Sequence, residues 1–568
     1  MSSRDTFYSK LKQFDAYHKI ALSIPAFTQS MRFLSYGAYR ALELSLGTRH
    51  PHERVLDQAR KLQRDSPTRP DTGPVVLFFT IRGWFAHIAT QVVLAKALEQ
   101  RGAQPVFFLC DGGLSQCDFK PSSDPFVTSP LCWRCQGFAR RLLKAFELPL
   151  VTLSDLPTSK TELKVELHSL SLEEIRSLRQ GEDILYKVAL PSIQRSLLRG
   201  DPGEGKPAER TIRGYVEATS QFLQTAEQLI SQLRPQTVVG MNGLFSAEHA
   251  MRRVCIRRRI PFVNYELGMR NQTVLFDRNR PSAHFHVDEL WKAWCSHDLS
   301  ATEHAELDCF LLEKSEGQQG QNLWPTIDSD EQSLCQRLHI DLSKPTAVLF
   351  TNILWDSSLF GRDAGFNSMY HFIQETISWF GKQHAFQLVI RIHPAEVRLP
   401  MLESRDCVGD RLRQDYPTLP SNICIVEASD PADSYVITEI AHCVLTYTST
   451  IGLEAAIRSR QVLVAGTPHY RDRGFTCDLQ GPASLPADLA LAMSCDHPPA
   501  SHETLARRYA HMFFFRFMQN FPWVQDQPRG QRRLHLDHLS DLAPGEHPVL
   551  DRLCAGILND EPLTELPS

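Results

Sequence analysis

Residues 443–456 read CVLTYTSTIGLEAA, and the change of character along this run decides the fold. Cys443 to Tyr447 is a short apolar stretch suited to a buried parallel strand. Thr448, Ser449 and Thr450 make a hydroxyl-rich turn, and a helix is expected to start near Ile451. A strand running through a short turn into a helix is the building block of a doubly wound α/β sheet. Free backbone N–H groups at such a helix start, together with the helix dipole, favour an anionic group. The three hydroxyls can add hydrogen bonds, and Gly452 would let a phosphate approach the backbone closely. Ordinary N-capping by Ser449 or Thr450 is the simpler use of the turn. A capping box, however, puts its acid three residues after the cap, whereas Glu454 lies four after Thr450. Glu454 therefore reads better as an acceptor for a ribose hydroxyl.

Working outward, the strand Gln387 to Ile392 ends in Arg391-Ile392-His393-Pro394-Ala395-Glu396. Pro394 ends the strand and fixes the turn, which aims His393 at the mouth of a cleft. A histidine there can donate to a phosphate or stabilise a departing nucleotide. Further strands are expected at Thr346 to Thr351, Ile423 to Val426 and Gln461 to Ala465, with a helix over Met369 to Phe380. The loop Asn352 to Asp363, carrying Asp356 and Arg362, would face the same cleft. So would Pro468-His469-Tyr470-Arg471, where His469 and Arg471 could close over a sugar or phosphate, a structural loop being the alternative.

The first half repeats the alternation. Strands are expected at Val75 to Phe79, Pro105 to Leu109, Thr237 to Gly240 and Pro261 to Tyr265, with helix-forming sequence from Leu163 to about Leu233. Gly200 to Gly205 reads as a mobile loop within it. The resulting division is an N-terminal helical region (1–70), an N-terminal Rossmann-like acceptor-side domain with a helical insertion (71–315), a linker (316–341), a C-terminal Rossmann-like donor-binding domain (342–515) and a C-terminal tail (516–568). Two such domains place a ligand cleft between the carboxyl ends of two sheets.

The 568 residues are too many for one ordinary core, which agrees with two domains. The composition, 42% hydrophobic and 22% charged, is that of a globular protein. A net charge of -4 argues against a general nucleic-acid binder. The run Arg257-Arg258-Arg259 reads as a solvated helix end. Met1 to Gly47 lacks the uninterrupted apolar core of a signal peptide, and no stretch approaches the ~20 apolar residues of a membrane span. The chain is therefore expected in the cytoplasm. Phe7, Leu11, Phe14 and Ala21 recur at helical spacing, on a helix that packs on the main body or docks peripherally at the inner face of the cell membrane or on a glycan-assembly partner.

Of the 14 cysteines, most are expected as reduced core thiols. Cys132 and Cys135 have C-x-x-C spacing suited to a structural zinc, with Cys110 and Cys117 as the more widely spaced second pair. Free thiols or a redox pair are the alternative.

The order of four segments resembles bacterial capsular polysaccharide biosynthesis glycosyltransferases: Leu349 to Asp356, Arg391 to Glu396, Tyr447 to Glu454 and Ala465 to Arg471. The resemblance covers roughly Ala347 to Thr476 and, less sharply, Val75 to Gly113. It implies a GT-B fold, a nucleotide-sugar donor and a glycan or glycolipid acceptor, with no cofactor required for catalysis. It also implies that Asn352, Arg391, His393, Thr448, Ser449, Thr450, Gly452, Glu454, His469 and Arg471 surround the donor, with His393 and the Thr448–Thr450 turn on its phosphates and Glu454 on its ribose. CMP-linked acidic sugars are among the donors of such relatives. Their acid-acid-Gly catalytic motif has no match here. An inverting transferase needs a base for the acceptor hydroxyl, and His87, Asp111 and Glu266 are the candidates at the strand ends of the first domain. A non-hydrolysing nucleotide-sugar epimerase, a cytidine-nucleotide-dependent polyol phosphotransferase and an inactive scaffold of a glycan assembly complex are the competing readings.

Overall fold

The computed structural model describes residues 51–64, 72–112, 114, 116–118, 130–156, 166–319, 329–399, 402–495, 497–526 and 532–565. The expected helix between Phe7 and Ala21 lies outside them.

Two sheets organise the chain. The first has seven strands in the order Gln519–Asn520, Thr273–Arg278, Phe262–Leu267, Thr237–Met241, Val75–Thr80, Gln104–Leu109 and Leu150–Thr152. Its five central and edge strands from Phe262–Leu267 to Leu150–Thr152 run parallel, and the other two pair antiparallel. The second has six parallel strands in the order Ile423–Val426, Gln387–Arg391, Thr346–Phe350, Cys443–Thr446, Gln461–Val464 and Cys477–Asp478. Numbered along the chain within that domain, this is the 3-2-1-4-5-6 order of a dinucleotide-binding sheet. Its switch point lies between Thr346–Phe350 and Cys443–Thr446, which is where a ligand belongs.

The predicted strands and the helix Met369–Phe380 form as expected. Long apolar runs such as VVLFF carry no alternation because both faces are covered: Val76 to Phe79 are all buried. The boundaries differ from expectation in three places. Helices Asp288–Trp294 and Ala301–Ser315 bury Trp291, Leu307 and Phe310 with the core of the second sheet, not the first. The expected linker contains the helix Glu331–Leu338, whose Leu334 and Cys335 join that same core. The expected tail is no tail: Gln519–Asn520 adds a strand to the first sheet, and helix Pro548–Asn559 buries Leu550, Leu553 and Ile557 against Val92 and its neighbours. Aromatic side chains fill the chain's path back, where Phe513, Phe514 and Phe517 are buried.

Residues beyond the strand ends of the two sheets touch. Leu198 packs with Ile353, Trp355 and Ala395, and the N–H of Arg405 donates to the Leu198 carbonyl at 3.0 Å. The loop expected to be mobile is docked at its start: the N–H of Gly200 donates to Asp406 at 3.2 Å, and a Cβ at Gly200 would lie 2.6 Å from that of Leu354. The basic run ends the helix Ser246–Arg258, with Arg257 paired to Asp183 and Arg258 to Glu227.

Candidate donor site and its facing surface

At the switch point of the second sheet, the loops after three strands meet. The Thr351 hydroxyl accepts the His393 N–H at 3.0 Å, and the Asn352 side-chain oxygen accepts the Thr448 N–H at 3.3 Å. Asn352, His393 and the Thr448–Thr450 turn are thereby fixed relative to one another. Burial holds the His393 pKa below its ordinary value, so the ring is neutral at neutral pH. The Ala395 N–H donates to its Nδ1 at 3.1 Å, which leaves the remaining proton on Nε2 as a donor. The Thr448 hydroxyl is buried and has no hydrogen-bond partner. The site therefore presents donors that the chain itself does not use.

The turn is built by Tyr470, which the sequence reading did not single out. Its phenol donates to the Ser449 carbonyl at 2.6 Å and accepts from Thr446 at 3.1 Å. A Cβ on Gly452 would fall 2.2 Å from that phenol oxygen, so Tyr470 by itself already requires a glycine there. Glu454 is buried and ion-paired with Lys314, from the helix Ala301–Ser315, and the Tyr435 phenol lies beside it. No short-range pattern connects positions 140 residues apart, so this partner was not legible.

Three expected donor contacts belong to the scaffold instead. Arg391 is 1% exposed and donates to the carbonyls of Glu427, Asp430 and Ala432. Arg471 donates to the carbonyls of Val464, Gly466 and Leu479. His469 is stacked on Phe513 at 3.9 Å between ring centroids, and its Nδ1–H donates to Tyr509, whose phenol donates to the His469 carbonyl. Burial of a polar group is costly without a partner, and backbone carbonyls supply partners for the two arginines while Tyr509 supplies one for His469. In the loop after Phe350, Asp363 accepts the Tyr447 phenol at 2.6 Å, and Arg362 donates to the His284 carbonyl of the first domain.

The first sheet has its own switch point, between Val75–Thr80 and Thr237–Met241. There Arg82 pairs with Glu248 and Asp118, all three side chains 3% exposed or less. Burial works against the Arg82 charge, but the two carboxylates and nearby Cys117 outweigh it and raise its pKa; burial raises that of Glu248. Nearby, His87 Nε2 lies 3.9 Å from Glu266, which also accepts from Asn242 at 3.2 Å. The Tyr265 phenol donates to the His87 carbonyl at 2.9 Å and braces that turn. Burial raises the Glu266 pKa. Asp111 lies elsewhere: it accepts from the N–H and hydroxyl of Ser154, beyond the edge strand Leu150–Thr152. Of the three candidate bases, the fold brings two together.

Cys135 accepts the Gly83 N–H at 2.9 Å and Cys110 the Gly112 N–H at 3.3 Å. The Cys132 side chain lies outside the described ones, and among the described residues no three His, Cys, Asp or Glu side chains, Cys117 included, converge as metal ligands. Among the described residues no helix is long and apolar enough to cross a membrane.

No curated protein matches the chain in sequence. Among solved structures it is similar to the Thermosulfurimonas dismutans KpsC beta Kdo 2,4 transferase, at 13% identity and a TM-score of 0.35, over 54% of this chain and 87% of that one. It is also similar to the beta Kdo 2,7 transferase of the same organism's KpsC, at 14% identity and a TM-score of 0.30, over 55% of this chain and 85% of that one. A UDP-GlcNAc 2-epimerase from Neisseria meningitidis bound to UDP-GlcNAc matches at 11% identity and a TM-score of 0.24, over 77% and 97%. Likenesses this distant transfer no residue and no activity. The sequence profile that matches is that of the family described as capsule polysaccharide biosynthesis protein, over residues 326–485, a span that contains the whole switch point of the second sheet. Over that span, and over less than half of its length, the chain is similar to that family.

Proposed function

We propose that the chain is a GT-B glycosyltransferase of capsular or related surface polysaccharide synthesis, taking a nucleotide-sugar donor at the second sheet and a glycan or glycolipid acceptor against the first. The observation that carries this reading is the neutral His393, whose Nε2–H stands with the unmatched Thr448 hydroxyl at a 3-2-1-4-5-6 switch point. Donors fixed before the reaction stabilise the negative charge that grows on a departing nucleotide without reorganising. Asn352, Thr448, Ser449 and Thr450 complete the phosphate side. Glu454 contributes its second oxygen, the first being held by Lys314.

On the opposite side, Glu266 and His87 supply the base. A carboxyl whose pKa is raised by burial, next to an imidazole, is suited to take the proton of an acceptor hydroxyl as its oxygen bonds to the anomeric carbon. The bond from that carbon to the nucleotide breaks in the same step, and the nucleotide leaves toward His393. Asp111, held at the sheet edge by Ser154, has no part in this.

The test is product analysis by NMR with nucleotide sugars in the presence and absence of capsular glycolipid acceptor. The expected result is free nucleotide and a new glycoside only with acceptor, lost in Glu266→Gln. A donor epimerised without acceptor would contradict it.

A further inference from the structure

Arg195, on the helix Leu185–Leu197, ends at the junction of the two domains. Its guanidinium lies over the Phe245 ring of the first domain at 5.7 Å and the Trp355 ring of the second at 5.8 Å. One turn later, Leu198 packs on Trp355 and Ala395, two residues from His393. Arg195 makes no hydrogen bond or ion pair with any described residue, and its Nε is buried without a partner. Asp118 and Asp356 are near enough to favour its charge, but Asp118 is engaged by Arg82 and Asp356 by the hydroxyls of Ser357 and Ser358. Burial correspondingly lowers its pKa.

Arg82 and Arg391 also leave Nε unmatched, but they spend their terminal N–H groups within the chain, Arg82 on two carboxylates and Arg391 on carbonyls, as Arg471 does. A largely buried cation with all its donors unused costs free energy unless something outside the chain accepts from it. Two rings flank the guanidinium, and its planar fork of N–H groups matches a carboxylate or phosphate in two-point geometry. From the geometry we infer that Arg195 binds an oxyanion of the substrate, carboxylate or phosphate, in the cleft between His393 and the first domain. This rests on the glycosyltransferase reading for the identity of the substrate, not for the presence of the site.

The test is binding and thermal stability of wild type, Arg195→Met and Arg195→Lys, with inorganic phosphate, CMP, CMP-N-acetylneuraminate and UDP-N-acetylglucosamine as probes. Methionine keeps a side chain of similar length between the rings but has no charge. Without ligand, Arg195→Met is expected to melt at or above the wild-type temperature, because an unpaired buried cation is gone. Its affinity for the oxyanion-bearing probe is expected to fall about ten-fold or more, roughly 1.4 kcal/mol, with Arg195→Lys in between. Equal weakening of CMP and CMP-N-acetylneuraminate assigns the oxyanion to the donor phosphate. Weakening of the second alone assigns it to the acid of the sugar. If no nucleotide binds even wild type, the glycosyltransferase reading fails, yet loss of phosphate-induced stabilisation in Arg195→Met still supports the site. The inference is overturned if no probe separates Arg195→Met from wild type, in particular if that variant only melts lower, as a purely structural staple between domains would.

Discussion

The two sheets share the order 3-2-1-4-5 across their parallel strands, yet their switch points are furnished in opposite ways. In the first, Arg82, Glu248 and Asp118 fill the position with the chain's own charges and leave almost nothing exposed. In the second, Asn352, His393 and Thr448 are fixed by neighbours but keep donors unmatched. The same topology offers the same crevice twice, and what fills it decides whether it is an internal brace or a ligand site.

The largest effect should come from breaking the brace. Glu248→Ala leaves Arg82 buried with only Asp118, and a loss of about 3–5 kcal/mol is expected in urea unfolding. A variant as stable as wild type would erase the distinction between the two crevices.

Next comes the turn of the open crevice. Gly452→Ala puts a methyl into the Tyr470 phenol and should cost about 1–3 kcal/mol. Adding Tyr470→Phe should recover part of it, since the phenol oxygen is the nearest atom met. If Gly452→Ala keeps stability and loses only nucleotide affinity, the glycine serves the phosphate after all.

Much of this was legible in the sequence, for a physical reason. Strands buried on both faces announce themselves as runs such as Val75 to Phe79 and Cys443 to Tyr447, and the turn chemistry of Thr448 to Thr450 follows from local hydrogen-bonding needs. What was not legible are choices made by distant partners. An arginine at a strand end reads the same whether it meets a ligand or a set of carbonyls, and only the fold shows that Arg391 meets Glu427, Asp430 and Ala432. The return of the chain's end onto the first sheet depends on partners far away in sequence, such as Thr273 and Val274 for Asn520 and Gln519, and Gln58 for the Leu534 carbonyl. Sequence proximity to His393 suggested a site role for Arg391, whereas the register of the sheet sets Thr351 and Asn352 beside His393 and the turn at Thr448.

A smaller and pH-dependent effect is expected at Glu396, just behind His393. Burial raises its carboxyl from 4.5 to about 7, so the fold favours the protonated form. Stability linked to it is complete below pH 4.5 and is lost as pH rises through about 7. Glu396→Gln should therefore gain of order 1–3 kcal/mol at pH 8, with no gain below pH 4.5, read as the pH dependence of the urea midpoint. A gain at acid pH instead would reverse the assignment. Smallest of all, Thr448→Ala should change unfolding by less than about 1 kcal/mol, because its hydroxyl has no partner to lose. A large loss would show that the hydroxyl is already engaged within the fold.

The central claim is that the second switch point binds a nucleotide through His393. It is tested most directly by calorimetric titration of CMP, CDP, UDP and GDP into wild type and His393→Ala. One nucleotide class should bind wild type and bind the variant at least about ten-fold more weakly, a loss of roughly 1.4 kcal/mol. No binding by any of the four, or equal binding by both proteins, would contradict the account.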